Sequence, residues 1–444
     1  MTSTTNRKFI KLYTVAAVAA IAATPAHAVP AFAVKTGQPC SACHVGGFGP
    51  QLTPFGRAFK MGGYTMDAGT DAFPISAMAE ASFVHTEKDQ ASPPADHYSV
   101  NDNTSLDQAS LFLAGGYGDH VGVFSQWTYD GIGRSFSWDN LDFRVVDRAT
   151  LAGSDVQFGL SINNNPGVED AWNTLPAWGY PYAASAMAPA PAAGTIFDGG
   201  LAQSVLGATA YAWIDQSIYA EAGMYWTPSS GFLSAMGTDF GPGPISGVAP
   251  YVRVAYQKDF GDQNFEIGGF GFFPALHPGG DTTTPNTDSY SDVGIDGSYQ
   301  FMGDGSNIYT VNARYTNEHQ HLGASQVLGL STNTSDTLED FRVDGSYYWH
   351  NLIGATVQWF DTWGSADTTL YGGNSTFKPD SSGVMFQIDG TPWGNDPPFG
   401  RFGMRVGLQY TMYSKFDGAS TNYDGLGHNA SDNNTLRIFT WFAL

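Results

Sequence analysis

Cys40 and Cys43 are the only two cysteines in 444 residues, and His44 follows the second directly, in the stretch GQPCSACHVGGFG (37–49). Three chemistries use two thiols at this spacing. A redox disulfide needs the pair and nothing more. A zinc site needs about four ligands, and the chain has no second cysteine pair to complete one. Covalent haem attachment needs the pair for two vinyl groups and an adjacent imidazole for one axial position on the iron. His44 stands where the third option requires it. The motif therefore reads as the site of one covalent haem c held by Cys40, Cys43 and His44, with a bare thiol pair or disulfide as the alternative. Spacing does not set the second axial ligand. Met61, Met66, Met78 and His85 follow downstream, with Met61 and Met66 ranked first.

The segments around the motif say where such chemistry would sit. MTSTTNRKFIKLY carries three basic residues, TVAAVAAIAA is a short apolar core, and AHA ends at Ala28 in a small-x-small pattern. Residues 1–28 therefore read as a secretory signal peptide, with cleavage after Ala33 as the alternative. The apolar run falls short of the ~20 residues that a membrane-spanning helix needs. After the motif comes LTPFGRAFKMGGYT. Thr53 suits a helix N-cap, Pro54 the first position and Gly62 the end. Phe55, Ala58, Phe59 and Gly62 would share one face able to cover a porphyrin, with Arg57 and Lys60 free to reach its propionates. A short helix packing on its neighbours is the plainer reading. Residues 29–75 are thus expected to form a small cytochrome c-like segment, too small to shield a haem alone.

From about residue 76 the chain changes character. The formal charge is −22, which argues against nucleic acid as a partner. Charged residues are only 14%, aromatics are 14%, and there are 54 glycines. The pattern has a period of two. In FRVDGSYYWH, Phe341, Val343, Tyr347 and Trp349 alternate with Arg342, Asp344, Ser346 and Tyr348. RFGMRVGLQYT sets Met404, Val406 and Leu408 against Arg405 and Gln409. Sixteen such segments can be counted, the first near 76–87 and the last near 434–444. Their connections alternate short (118–120, 214–216, 260–263) and long (88–106, 164–201, 228–248, 317–337, 414–433), with 389–400 the exception. Strands with one apolar and one polar face, joined this way, are expected to close into a transmembrane antiparallel β-barrel over residues 76–444. An even count places both termini in the periplasm.

Two groups of side chains in the barrel invite a functional reading. Arg144, Arg253, Arg314, Arg342, Arg405 and Arg437 fall at inward positions. A salt-bridged wall, with Asp142 and Asp344 as partners, is the plain reading, and propionate contact the sharper one. Glu318, His319 and His321, in an expected outer loop NEHQHLG, could hold Fe(II) transiently by imidazole and carboxylate. Solvated loop histidines are the commoner case.

With its signal peptide, Cys40–Ser41–Ala42–Cys43–His44, LTPFGRAFKMGGYT and INNNPGVEDAWNTLPAWGYPY (162–182), the sequence resembles the fused cytochrome–porin family of outer-membrane proteins from iron-oxidising bacteria. The resemblance implies a monohaem cytochrome plugging a sixteen-stranded outer-membrane barrel. It further implies electron transfer from extracellular Fe(II) to a periplasmic c-type cytochrome or another periplasmic carrier. Rival readings are a conduit using another donor or acceptor, a solute porin with a structural haem, and a porin with a disulfide and no haem.

Overall fold

A computed structural model describes residues 31–67, 69, 74–283, 285–393 and 402–444. The signal peptide expected over 1–28 lies outside the described residues. Sixteen strands run from Ile75–Thr86 to Thr435–Ala443, each antiparallel to the next. The last returns to pair with the first, Met78 opposite Ala443 and Thr86 opposite Thr435, so the sheet closes on itself. A two-residue strand, Ala275–Leu276, adds to one rim against Asp288 and Ser289.

The strand Ala249–Phe260 shows why this sequence makes a barrel and which way it faces. Tyr251, Arg253, Ala255 and Gln257 are buried, while Val252, Val254 and Tyr256 are exposed. Val254 is 62% exposed and Arg253 1%. Water would select the reverse. Lipid selects this, because every backbone group in a closed sheet is paired and only apolar side chains meet the hydrocarbon. The other strands repeat the pattern, with Leu160, Ile295, Ile353 and Ile388 outward.

Several strands outrun their sequence signal. Asn307–Leu322 spans 16 residues where alternation marks only 308–316, and Ser135–Leu151 spans 17 where it marks only 141–149. About 9–11 tilted residues cross the apolar layer. Beyond that both faces turn polar, the hydrogen bonds continue, and the alternation that reveals a strand disappears. The turn between Val121–Asp130 and Ser135–Leu151 is consequently only residues 131–134.

Two segments fill the lumen. Residues 31–67 carry the helices Ala31–Thr36, Cys40–Cys43 and Pro54–Met61. The long connection 164–205 folds inward beside them. The N-terminal segment bonds the wall through Gly46 N to Asn351 Oδ1 (2.9 Å), Gln51 to Thr310 (2.9 Å) and Arg57 to Gln300 (2.6 Å). The connection does so through Trp172 to Gln257 (2.8 Å), Thr174 to Asp296 (2.7 Å) and Phe197 N to Asp292 (2.8 Å). Gly122 allows the closest approach: a Cβ there would lie 1.8 Å from the carbonyl oxygen of Gly63.

Candidate cofactor site inside the barrel

The motif is built as one helical turn. Pro39 precedes Cys40–Cys43, and the turn closes with His44 N–H donating to Cys40 O at 2.9 Å. Residues three apart on a helix lie on one side, so the spacing aims both thiols the same way. His44 leaves the turn in an extended conformation and pairs with Leu52 as an isolated bridge. Thr53 ties the motif to the next helix. Its hydroxyl donates to Ala42 O (2.5 Å) and accepts from Gly56 N (3.1 Å), while its backbone N–H donates to Cys43 O (2.9 Å). The expected cap, first-turn proline and terminal glycine all hold, and the helix is Pro54–Met61.

Cys40, Cys43 and His44 line one cavity of about 360 Å³ between the N-terminal segment, the 164–205 connection and the wall strands near the seam. That volume lies in the usual range for small-molecule and cofactor sites, ~300–1,000 Å³. Its walls are largely apolar, with the aromatic rings of Phe59, Tyr64 and Phe32 from the N-terminal segment, Phe112 and Phe124 from the barrel, and Trp178 from the connection. Phe32 sits 4.9 Å from Phe59 and 5.1 Å from Tyr64, and Trp178 packs edge-on to Phe124 at 5.9 Å. Burial pushes the thiols up, Cys43 to about 12. Burial, and then the Arg405 guanidinium, push the His44 imidazole down to about 4. A neutral imidazole keeps one nitrogen lone pair for a metal. His44 Nδ1 is buried with no hydrogen-bond partner. Two free thiols, an imidazole and flat apolar walls around one space fit a covalently attached haem.

The other candidate residues are placed as follows. Met61 is 0% exposed, but it packs with Val146, Trp172 and Tyr211 behind the helix. Met66 is 43% exposed past the helix end. Neither lines the cavity, because the face pressed on it is Gly56, Phe59 and Lys60; of the expected Phe55, Ala58, Phe59 and Gly62, only Phe59 takes part. Gly56 sets that rotation: a Cβ there would lie 2.3 Å from Cys43 O. Arg57 turns to Gln300 in the wall. Lys60 reaches the cavity edge, donating to Val168 O (2.6 Å) and Asp170 O (2.9 Å), with its Nζ 4.5 Å from the Trp178 ring. His85 faces out at the far end of its strand and bonds Asp102 at 2.7 Å. Met78 does line the cavity.

Glu318, His319 and His321 do not converge. They lie in the strand Asn307–Leu322, not in a loop, so successive side chains point to opposite faces. Glu318 is buried inward and accepts from Ile196 N, while His319 and His321 face out. No cluster of three or more metal-ligating side chains exists among the described residues. The six arginines are wall residues with acidic partners. Arg144 pairs with Asp142 and Glu169, Arg253 with Asp296, Arg314 and Arg342 with Asp340 and Asp198, Arg405 with Asp389, and Arg437 with Glu80 and Asp107. Asp344, expected among the partners, instead accepts from Asn312 at 3.2 Å.

The wall residues of the cavity had a signal that alternation could have supplied. Met78, Phe112, Phe124 and Trp441 are apolar side chains at inward positions, on faces otherwise carrying Ser76, Ser110, Gln126 and Arg437.

The chain is thus a closed sixteen-stranded β-barrel of membrane-spanning build with a cavity in its lumen. No family model and no curated relative matches it. Solved structures with similar barrels include OmpT of Vibrio cholerae with loop L8 deleted, at 10% identity over 83% of this chain and 98% of that one (TM-score 0.43). An anion-selective porin from Comamonas acidovorans matches at 11% over 83% and 98% (TM-score 0.46). The outer membrane channel DcaP of Acinetobacter baumannii matches at 10% over 83% and 96% (TM-score 0.46).

Proposed function

We propose that this protein is an outer-membrane electron conduit, taking electrons from extracellular Fe(II) through a covalent haem c and passing them to a periplasmic carrier. The observation that carries the reading is the convergence of Cys40, Cys43 and His44 on one aromatic cavity inside a closed barrel. Haem would supply one-electron exchange. The protein does the rest. Cys40 and Cys43 would hold the group as thioethers, and His44 would offer its imidazole to the iron. Phe59, Tyr64, Phe124 and Trp178 line the cavity and would shield the group from water, and burial of that kind tunes potential. The barrel carries the cavity across lipid without exposing backbone. Fe(II) as donor comes from the family resemblance, and a chain of −22 favours the approach of cations.

The test is stopped-flow mixing of the oxidised protein with Fe(II) at acidic pH. Haem reduction on mixing is expected. If the haem stays oxidised while a small-molecule reductant still reduces it, Fe(II) is not the donor. Haem staining after denaturing electrophoresis tests the attachment itself, and loss of colour on acid–solvent extraction would refute it.

A further inference from the structure

We infer that Met78 is the second axial ligand of the haem, reaching the iron from the barrel wall while His44 serves it from the N-terminal segment. This rests on the cytochrome reading of Cys40, Cys43 and His44. Beyond the motif, five residues around the cavity carry an amine, phenol, carboxylate or thioether: Lys60, Tyr64, Met78, Asp139 and Tyr182. Four of the five are engaged, Met78 through one lone pair of its sulfur only. Lys60 Nζ donates to two carbonyls, Tyr64 donates to Asp142 at 2.5 Å, and Asp139 accepts from Thr128 at 2.8 Å and Gln203 at 3.1 Å. Tyr182 keeps a buried, unpartnered hydroxyl. A phenol that holds its proton is a weak donor to iron, whereas a thioether binds without losing one.

Met78 is also held in place at the cavity wall. It sits in the first strand on the inward row with Ser76, Glu80 and Ser82, and packs beside Phe48, Phe439, Trp441 and Ala443. Its Sδ accepts the indole N–H of Trp441 at 3.0 Å, across the seam where first and last strands pair. A thioether sulfur has two lone pairs. The hydrogen bond uses one and fixes the side chain, leaving the other for a metal. Outer-shell hydrogen bonds of this kind orient ligands and tune the metals they hold. Ligation by Met78 would therefore fasten the N-terminal segment to the barrel at its closing seam.

The experiment is spectroscopy on the intact haem-loaded protein in detergent. The wild type should show the far-red thioether-to-iron band when oxidised. When reduced it should show a methionine methyl resonance shifted by the haem ring current. Met78→Leu, close in volume and so tolerable in the wall, should abolish both signals with haem stain unchanged. Met78→His should give a bis-imidazole low-spin spectrum at lower potential. Trp441→Phe should keep both signals and lower the potential, because the lost N–H no longer draws electron density from the sulfur. Tyr182→Phe should leave the spectrum unchanged. Signals that survive Met78→Leu, a wild type lacking both, or a ligand lost in Tyr182→Phe would each overturn the assignment. Those three results leave the haem stain, and the cytochrome reading, standing. A chain that takes no haem overturns both.

Discussion

Replacing Gly56 by alanine should loosen the motif although it improves the helix. In a helix, Gly→Ala ordinarily gains up to about 1 kcal/mol. Here the new methyl would lie 2.3 Å from Cys43 O and 3.0 Å from Cys43 Cα. A carbon–oxygen contact relaxes at ~3.3 Å or more, so helix and motif must separate by roughly 1 Å. The obstacle is backbone, which cannot rotate aside. Overpacking of this sort costs about 1–3 kcal/mol, and a backbone clash this close belongs at the upper end, leaving a net loss of about 2 kcal/mol. Gly231, near the start of the helix Ser230–Ala235, has nothing within 4 Å of its would-be Cβ. Gly231→Ala should therefore gain where Gly56→Ala loses. Native-state hydrogen exchange, read by mass spectrometry on peptides covering 40–61 and 229–237, reports local opening for each. Faster exchange at 40–61 in Gly56→Ala and slower exchange at 229–237 in Gly231→Ala are expected. Unchanged or slower exchange in the Gly56 variant would refute the argument that this glycine exists for close approach.

Arg144→Met should destabilise the folded protein by about 3–5 kcal/mol, because Asp142 and Glu169 stay buried without their cation; urea-driven unfolding from vesicles measures it, and a loss under ~1 kcal/mol would contradict the pairing. Liposomes carrying the wild type should swell little in sugar solutions, since residues 31–67 and 164–205 bond to the wall inside the lumen; rapid swelling would show an open pore. N-terminal sequencing of the exported protein should begin at Val29, because cleavage after Ala33 would remove Phe32 from its place between Phe59 and Tyr64. Burial, then the neighbouring Arg144, push the Lys60 ammonium down from 10.5 to about 8, against pulls from Asp142, Glu169 and Asp170. Between those values the folded chain binds fewer protons than the unfolded one, so this group makes stability rise with pH from about 8 to 10.5. Lys60→Met should flatten that part of the pH–stability curve, and an unaltered slope would assign it elsewhere.

Local rules carried much of this protein. Period-two alternation marks a strand wherever one face meets lipid and the other the lumen, so Met404, Val406 and Leu408 against Arg405 and Gln409 were readable one residue at a time. Caps are equally local: Thr53, Pro54 and Gly62 bound their helix without help from elsewhere. The cysteine spacing is local too, because one helical turn sets the thiols side by side. Other features needed the tertiary structure. Strand ends beyond the lipid have two polar faces, so nothing in NEHQHLG announced that alternation would send Glu318 inward and His319 and His321 outward. Met61 and Met66 were nearer in sequence to His44, yet Met78 reaches the cavity. Its approach depends on the first and last strands closing and on Trp441 holding its sulfur. Such contacts join residues more than 300 positions apart, as Met78 and Trp441 are at a separation of 363. Only the closed barrel brings them to one place, because register around the whole ring decides which inward side chains face each other.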